Sequence, residues 1–502
     1  MKIISKFFYI RSSYILLILC LIFFLLRLPS LFEPNWYGDE GIYQSIGFSI
    51  RAGRQYYTGV WDNKPPLLFV IYALANGDQF LARSFSLLFG LGAVVSYFLL
   101  SSKVFLNKSV SIFTTFIFVL LFGLPIIEGN IANSENYMLL PILVSANLAY
   151  PVLILFDTKL KKYQIVRLFI SGMILSLSFL IKIVSVFDFA AFLTIGIIIY
   201  FHNISISHGN YLNKGKTLLK NLGIFILGFV FPIFISIFYF NALGILPYYL
   251  DAAFGRNVSY VGWANYFIIP QGLLYLRIIL LGLFVLLLFI KRNLFSRSSI
   301  FVLVWLGFSL FNVFFSFRPY THYVLLVLPS LLLFIGISGN RKNFIYKIRI
   351  LVVSLFISLL LFSHFPYWSL LKTIKYYNNY IYFISGSINF QTYQSFFDTR
   401  NVKDYIIASY IKSHTSPRDV VFLWGNSAQI YPLSQTIPPG RYSAAYHIGT
   451  DKNNILETEK ALKQTKPKFI IITQDVIQFP FDLSNYMHVL TIEDVQIYER
   501  TI

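Results

Sequence analysis

The sequence is poor in cysteine, in charge and above all in acid. Its one cysteine, Cys20, lies inside an apolar run, so no disulfide and no thiolate metal site can form within the chain. Cys20 reads as a small buried apolar residue. Only 12% of the 502 residues are charged, about half the usual globular share, while 57% are hydrophobic and the mean hydropathy is +0.66. A water-soluble chain of this length could not hide so much apolar surface. Missing too are a GxGxxG turn and a P-loop, so no nucleotide cofactor is expected. No His/Asp/Glu cluster has metal-ligand spacing, so a divalent ion is unsupported.

What the chain has instead is long apolar runs, such as "SYILLILCLIFFLL", "IILLGLFVLLLFI", "IFVLVWLGFSLFNVFF" and "ILVVSLFISLLLF". Runs of this length cross a bilayer as helices, the form that satisfies every backbone group internally. Counting runs between charged loops gives about eleven crossings, and up to about thirteen where Pro breaks a run. They fall near 13–32, 83–102, 109–127, 136–156, 168–183, 186–201, 221–241, 273–290, 298–316, 321–338 and 349–365. The first run follows the basic "MKIISKFFYIR", but no small-residue cleavage site follows it, so it reads as a span rather than a signal peptide. The expected fold is an α-helical polytopic membrane protein.

The formal charge of +20 raises the question of a nucleic-acid partner. Lys and Arg cluster in short loops ("KIISK", "KLKKYQIVR", "KGKTLLK", "KRNLFSR", "NRKNFIYKIR"), with no basic stripe interleaved with stacking aromatics, so no nucleic-acid partner is expected. Charge placed this way orients a membrane protein. With a cytoplasmic N-terminus every basic loop falls inside, while Asp39, Glu40, Asp62, Asp78, Glu128, Glu135, Asp188 and Asp251 fall outside. Among loop acids only Asp157 falls inside. Two charge patterns thus give one topology, with the C-terminal part outside, in a plasma (bacterial inner) membrane.

Two segments break the pattern. Residues 33–82 form a long outer loop rich in aromatics and Gly. Within it "GIYQSIGFSIRAG" has helical apolar spacing with Gly53 as a C-cap, and reads as a helix on the membrane surface held by Trp36, Tyr56, Tyr57 and Trp61. From 366 onward helix and strand signals alternate: "VKDYIIASYIKSH", "DVVFLWG", "ILETEKALKQTK", "KFIIIT" and "VLTIEDVQIYER". The expected division is a membrane domain at 1–365 and an outer α/β domain at 366–502.

Chemistry-bearing residues gather in the outer loop. "NWYGDEGIY" carries Asp39 and Glu40, and "DNKPPL" carries Lys64, Pro65 and Pro66. A carboxylate at an outer membrane surface can take the proton of an attacking hydroxyl, and a nearby ammonium can neutralise a phosphate leaving group. The bland alternative is an acidic loop with a snorkelling lysine. Pro65 and Pro66 also fit the start of a helix.

The run "LRLPSLFEPNWYGDEGIYQSIGFSIRAG", followed by "KPPLLFVIYALANGDQFLARSFSLLFGLGAVVSYFLL", resembles the opening of the GT-C fold membrane glycosyltransferases of family 39. That family uses polyprenyl-phosphate-linked sugars and includes protein O-mannosyltransferases and aminoarabinose transferases of lipid A. "RPYTHYVLLVLPSLLL" is similar to its late His-Tyr segment, and "LSFLIK" and "NSENYMLLP" sit where it has similar elements. The resemblance, over roughly residues 21–340, implies Asp39 as catalytic base supported by Glu40. It implies Lys64 on the donor phosphate, with Arg83 and Arg27 as weaker candidates for the same site. Glu135, His322 and Tyr323 fall where relatives approach the cavity. Aminoarabinose transferases carry an Arg soon after the acid pair where Gly41 and Ile42 stand here, so the donor sugar does not transfer.

The implied partners are a polyprenyl-phosphate (undecaprenyl or dolichyl) sugar donor, membrane lipids, and a lipid, glycan or protein acceptor. Alternatives stay open. Glu135 reads equally as a solvated loop acid and His322 as a histidine bonded to backbone. Lys182 and Asp188 read as a structural ion pair. The rival functions are a transporter or lipid-linked sugar flippase and a non-catalytic scaffold.

Overall fold

Leucine, isoleucine and phenylalanine in unbroken runs coil into helices because a bilayer offers backbone groups no other partner. In the computed structural model, which describes residues 2–155, 160–204, 211–257, 272–339, 343–367, 369–473 and 478–501, ten helices among the described residues are long and apolar enough to cross a membrane. The Lys108–Gly123 helix, 16 residues long, occupies the place of the expected third crossing. All eleven expected spans are therefore helices. The chain is a multi-pass α-helical membrane protein with a small C-terminal sheet domain. Asp157 lies outside the described residues.

Depth within the bundle differs sharply. The Thr321–Ser338 span is 89% buried and Leu273–Ile290 only 6%, so the former is central and the latter peripheral. Cys20 is half-buried, not fully buried as its composition predicted. The connections that follow Phe32, Gly123, Ile181 and Phe315 meet at one end of the bundle, where their side chains bond to one another or, for Lys182, to Glu135 at the start of the Ser134–Leu153 helix.

The loop helix Gly38–Arg51 departs from expectation. It is not laid on a lipid surface: Ile42, Tyr43 and Ile46 are all buried. Its partner is the Pro66–Ala75 helix, which begins at Pro66 as the Pro pair predicted. A Cβ on Gly47 would lie 2.4 Å from the Tyr72 carbonyl carbon, so the two helices touch backbone to backbone. The expected anchoring aromatics pack on protein instead: Trp36 stacks on Phe397, Tyr56 and Tyr57 pack on Phe240, and Trp61 meets Tyr442 and His447. Aromatic composition suits a lipid interface and a domain contact equally, and here the C-terminal domain takes part of that surface.

That domain holds a four-stranded sheet: β1 (Val421–Trp424), β2 (Phe469–Ile472), β3 (Tyr486–Ile492) and β4 (Val495–Arg500), in the order β1-β2-β4-β3. β1 and β2 are parallel, with Val421 opposite Phe469; β4 is antiparallel to both neighbours. The last strand signal is in fact a hairpin, broken at Glu493, whose φ of +51° makes the turn. Alternation does the rest. Val421, Leu423, Phe469 and Ile471 face Ile407 and Ile411 of the Arg400–His414 helix, while Phe422, Trp424 and Ile470 face Tyr442, Ile448 and Phe481. Asn35 N–H donates to Tyr405 Oη at 3.2 Å and Arg54 to the Pro438 carbonyl at 3.0 Å, so the sheet domain sits on the 33–82 loop.

Candidate active site

Asp39 and Glu40 are adjacent in sequence and opposite in fate. Neighbours on a helix point about 100° apart, and in the first turn of Gly38–Arg51 this sends Glu40 inward, 1% exposed, while Asp39 stays half-buried. Both gain from the helix N-terminus, which favours negative charge.

Glu40 faces Arg83 at 2.9 Å, and Arg83 also faces Glu33 at 3.1 Å. Ala132 N–H and Gln79 donate to Glu40 as well. Glu33 collects donors from Trp36 (2.6 Å), Asn130 (2.9 Å) and Tyr376 (2.6 Å). Arg27 binds Ser86 and the Asn130 carbonyl. Burial raises the Glu40 carboxyl above its usual value, with Arg83 pulling the other way. The resemblance placed Arg83 and Arg27 beside the donor phosphate; here both guanidinium groups are 0% exposed and turned onto interior carboxylates, hydroxyls and carbonyls. Arg83 faces the buried Glu33 and Glu40, while Arg27 bonds to Ser30, Ser86 and the Asn130 carbonyl.

Lys64 is different. Its Nζ lies 3.0 Å from Asp62 Oδ1 and 2.8 Å from Asn63 Oδ1, and it sits 5.5 Å from the Tyr43 ring centroid. Tyr57 Oη donates to the Lys64 carbonyl, and Pro65 fixes the backbone just ahead of the Pro66–Ala75 helix. Burial pulls the ammonium down, but Asp62 and then Asp39 outweigh it, so its pKa is raised. A charged lysine within the field of a half-buried carboxylate is the arrangement that separates acid from base.

Asn133 ties Asp39 to the rest. Its Nδ2 lies 3.4 Å from both Asp39 Oδ2 and Tyr37 Oη, and its Oδ1 accepts from Ser134 N–H at the start of the Ser134–Leu153 helix. Tyr37 Oη lies 3.1 Å from His322 Nδ1, and the same nitrogen is 2.8 Å from Glu128 Oε2. Glu135 pairs with Lys182, accepts from Ser134 Oγ, and lies 3.9 Å from His322 Nε2. Lys182 in turn sits 4.7 Å from the Tyr323 ring centroid. Asp39, Lys64, Glu135, His322 and Tyr323 thus belong to one polar cluster.

Neither plain reading of Glu135 or His322 describes them: Glu135 is 0% exposed and His322 is bonded to side chains. The Lys182–Asp188 pairing also fails, since Lys182 goes to Glu135 and Asp188 accepts from Trp305 Nε1 at 2.8 Å. Glu33, Tyr37, Asp62, Glu128 and Asn133 were not singled out by the sequence. Of these only Asp62 has a local signal, two residues before Lys64. No group of three or more His, Cys, Asp or Glu placed to hold a metal is found among the described residues.

Residues 402–498 match the family described as "Putative competence-induced protein Ccs4 C-terminal domain". No curated protein matches the chain. Among solved structures it is similar to ArnT from Cupriavidus metallidurans in the apo state, at 13% identity over 97% of each chain with a TM-score of 0.48. The same protein bound to undecaprenyl phosphate gives 12% over 97% of each chain and 0.47. The archaeal oligosaccharyltransferase AglB from Archaeoglobus fulgidus, in complex with an inhibitory peptide and a dolichol-phosphate, gives 13% over 92% of this chain and 69% of that chain, with 0.43.

Proposed function

We propose that the protein is an inverting glycosyltransferase that moves a sugar from a polyprenyl-phosphate donor to an acceptor hydroxyl at the outer face of the membrane. What supports this reading is a half-buried Asp39 carboxylate with Lys64, held 3.0 Å from Asp62, in its field at one end of an apolar bundle. Asp39 takes the proton of the acceptor hydroxyl, whose oxygen attacks the anomeric carbon from the face opposite the phosphate. The bond from that carbon to the phosphate oxygen breaks, and Lys64 stabilises the departing lipid phosphate. Glu40 acts through Arg83 to hold the helix that carries Asp39. Glu135, His322 and Tyr323 line the acceptor side. A lipid phosphate supplies both leaving group and anchor, so no nucleotide site is required.

Purified protein incubated with a radiolabelled polyprenyl-phosphate sugar and a membrane extract tests the reading. The parent transfers label to an acceptor, and Asp39→Asn loses about 10²- to 10⁴-fold in rate while keeping donor binding. Substantial residual transfer removes Asp39 from the role of base. Movement of label across the bilayer without bond cleavage replaces the transferase with a transporter.

A further inference from the structure

The Leu370–Ile384 helix follows the last membrane span, Phe344–His364, after a short connection, and neither spans the membrane nor belongs to the sheet domain. Its residues divide into three stripes at about 100° per residue. One stripe faces protein: Thr373, Tyr376 and Tyr380 are buried, Tyr376 Oη donates to Glu33 at 2.6 Å, and Tyr380 packs on Phe32 with ring centroids 5.6 Å apart. A second stripe is polar and carries the exposed Lys372 and Lys375 beside Asn379. The third is open and mainly apolar: Leu370, Leu371, Ile374, Ile381 and Tyr382 are each more than half exposed, with the exposed Asn378 among them.

We infer that this helix lies in the plane of the membrane interface, its apolar stripe among acyl chains and its two lysines on anionic phospholipid headgroups. Three observations choose a lipid surface over a protein. Exposed apolar residues border the helix: Phe32, beside Phe80, packs on Tyr380, and Phe362 is exposed near the end of the preceding span. The polar stripe has one sign only, carrying Lys372 and Lys375 and no acid of its own helix. An apolar face bordered by lysines on a helix too short to span is the pattern of an in-plane membrane helix. This rests on the multi-pass architecture alone and stands or falls separately from glycosyl transfer. Because Tyr376 holds Glu33, and Glu33 holds Arg83, the bilayer contact adjoins the scaffold of the Asp39 helix.

The test uses the full chain in lipid nanodiscs, with Cys20→Ala as background and single spin labels at Ile374→Cys, Ile381→Cys or Lys375→Cys. Labels at Ile374 and Ile381 should relax strongly with oxygen and be shielded from a water-soluble nickel chelate, and the Lys375 label should do the reverse. Free access of nickel to both isoleucine positions overturns the proposal. So does shielding of them from both reagents in native membranes but not in nanodiscs, which would assign the face to a protein. In parallel, K372E/K375E should retain several-fold less phosphatidylglycerol from mixed phosphatidylcholine and phosphatidylglycerol nanodiscs. Unchanged retention overturns the headgroup assignment.

Discussion

Lys64 Nζ lies 3.0 Å from Asp62 Oδ1, and the Asp62 side chain is 2% exposed. The lysine is therefore clamped by a carboxylate that water barely reaches, and Asp62 fixes where the positive charge stands. Asp62→Asn should lower kcat/KM for the polyprenyl-phosphate sugar by roughly tenfold, since a hydrogen bond to a charged group contributes about 1.5–3 kcal/mol. Because the Lys64 pKa is raised, the parent should show no alkaline loss of activity from this group below about pH 10. A parent alkaline limb near neutrality that Asp62→Asn leaves in place would sink the assignment.

The Glu33–Arg83–Glu40 triad makes a stability prediction. Arg83→Ala leaves two carboxylates buried without their cation, and breaking such a pair costs about 3–5 kcal/mol. Thermal unfolding in detergent should show that loss. Glu40→Gln should cost less, because the amide can still accept from Ala132 N–H and Arg83 keeps Glu33. An Arg83→Ala protein as stable as the parent would show that the buried charges are solvated.

The spans were legible because apolar runs of bilayer length need no tertiary knowledge, and the sheet domain because its helix and strand signals alternate. Asp39 and Lys64 drew attention in the sequence because both sit in short, charged, locally odd segments. What could not be read was pairing across the chain. Tyr37 and His322 are 285 positions apart, and Glu33 and Tyr376 are 343 apart. No periodicity in either segment encodes the other. The resemblance implied Arg83 and Arg27 as weaker donor-phosphate candidates; that Arg83 faces the buried Glu33, itself not singled out, no local pattern in the sequence could show. The aromatics of the 33–82 loop misled for a similar reason, since the domain that covers Trp61 begins more than three hundred positions later.

The structure gives this chain a use for a small residue at Gly41. A Cβ at Gly41 would lie 2.5 Å from Gln429 Oε1 and 3.1 Å from Gln429 N. Gly41→Ala should therefore destabilise the contact between the 33–82 loop and the sheet domain by about 1–3 kcal/mol, the usual cost of overpacking. Limited proteolysis should cut the domain faster. Gln429→Ala added to Gly41→Ala should restore much of the loss, because the worst clash is with the removed amide; a fully additive double variant would place the strain elsewhere.

Two buried groups in the sheet domain titrate in opposite senses and give the last prediction. The Asp404 carboxyl accepts from Gln429 Nε2 at 2.7 Å, and burial pushes it up to about 7. An acid with a raised folded-state value binds its proton more tightly when folded, so its contribution is complete below the ordinary value of about 3.9 and is lost as pH rises through about 7. His447, buried under Trp61, is pushed down to about 4 chiefly by desolvation. The folded state prefers its neutral form, so that contribution is complete above about pH 6.5 and is lost as pH falls through about 4. Relative to the parent, Asp404→Asn should thus gain stability as the pH is raised from about 5 to about 8, by an amount on the order of 1 kcal/mol or more. His447→Gln should gain relative stability in the other direction, as pH is lowered below about 6. Thermal unfolding of the full chain across this range reads both, and parallel pH curves for parent and variants would show that neither group changes its proton affinity on folding.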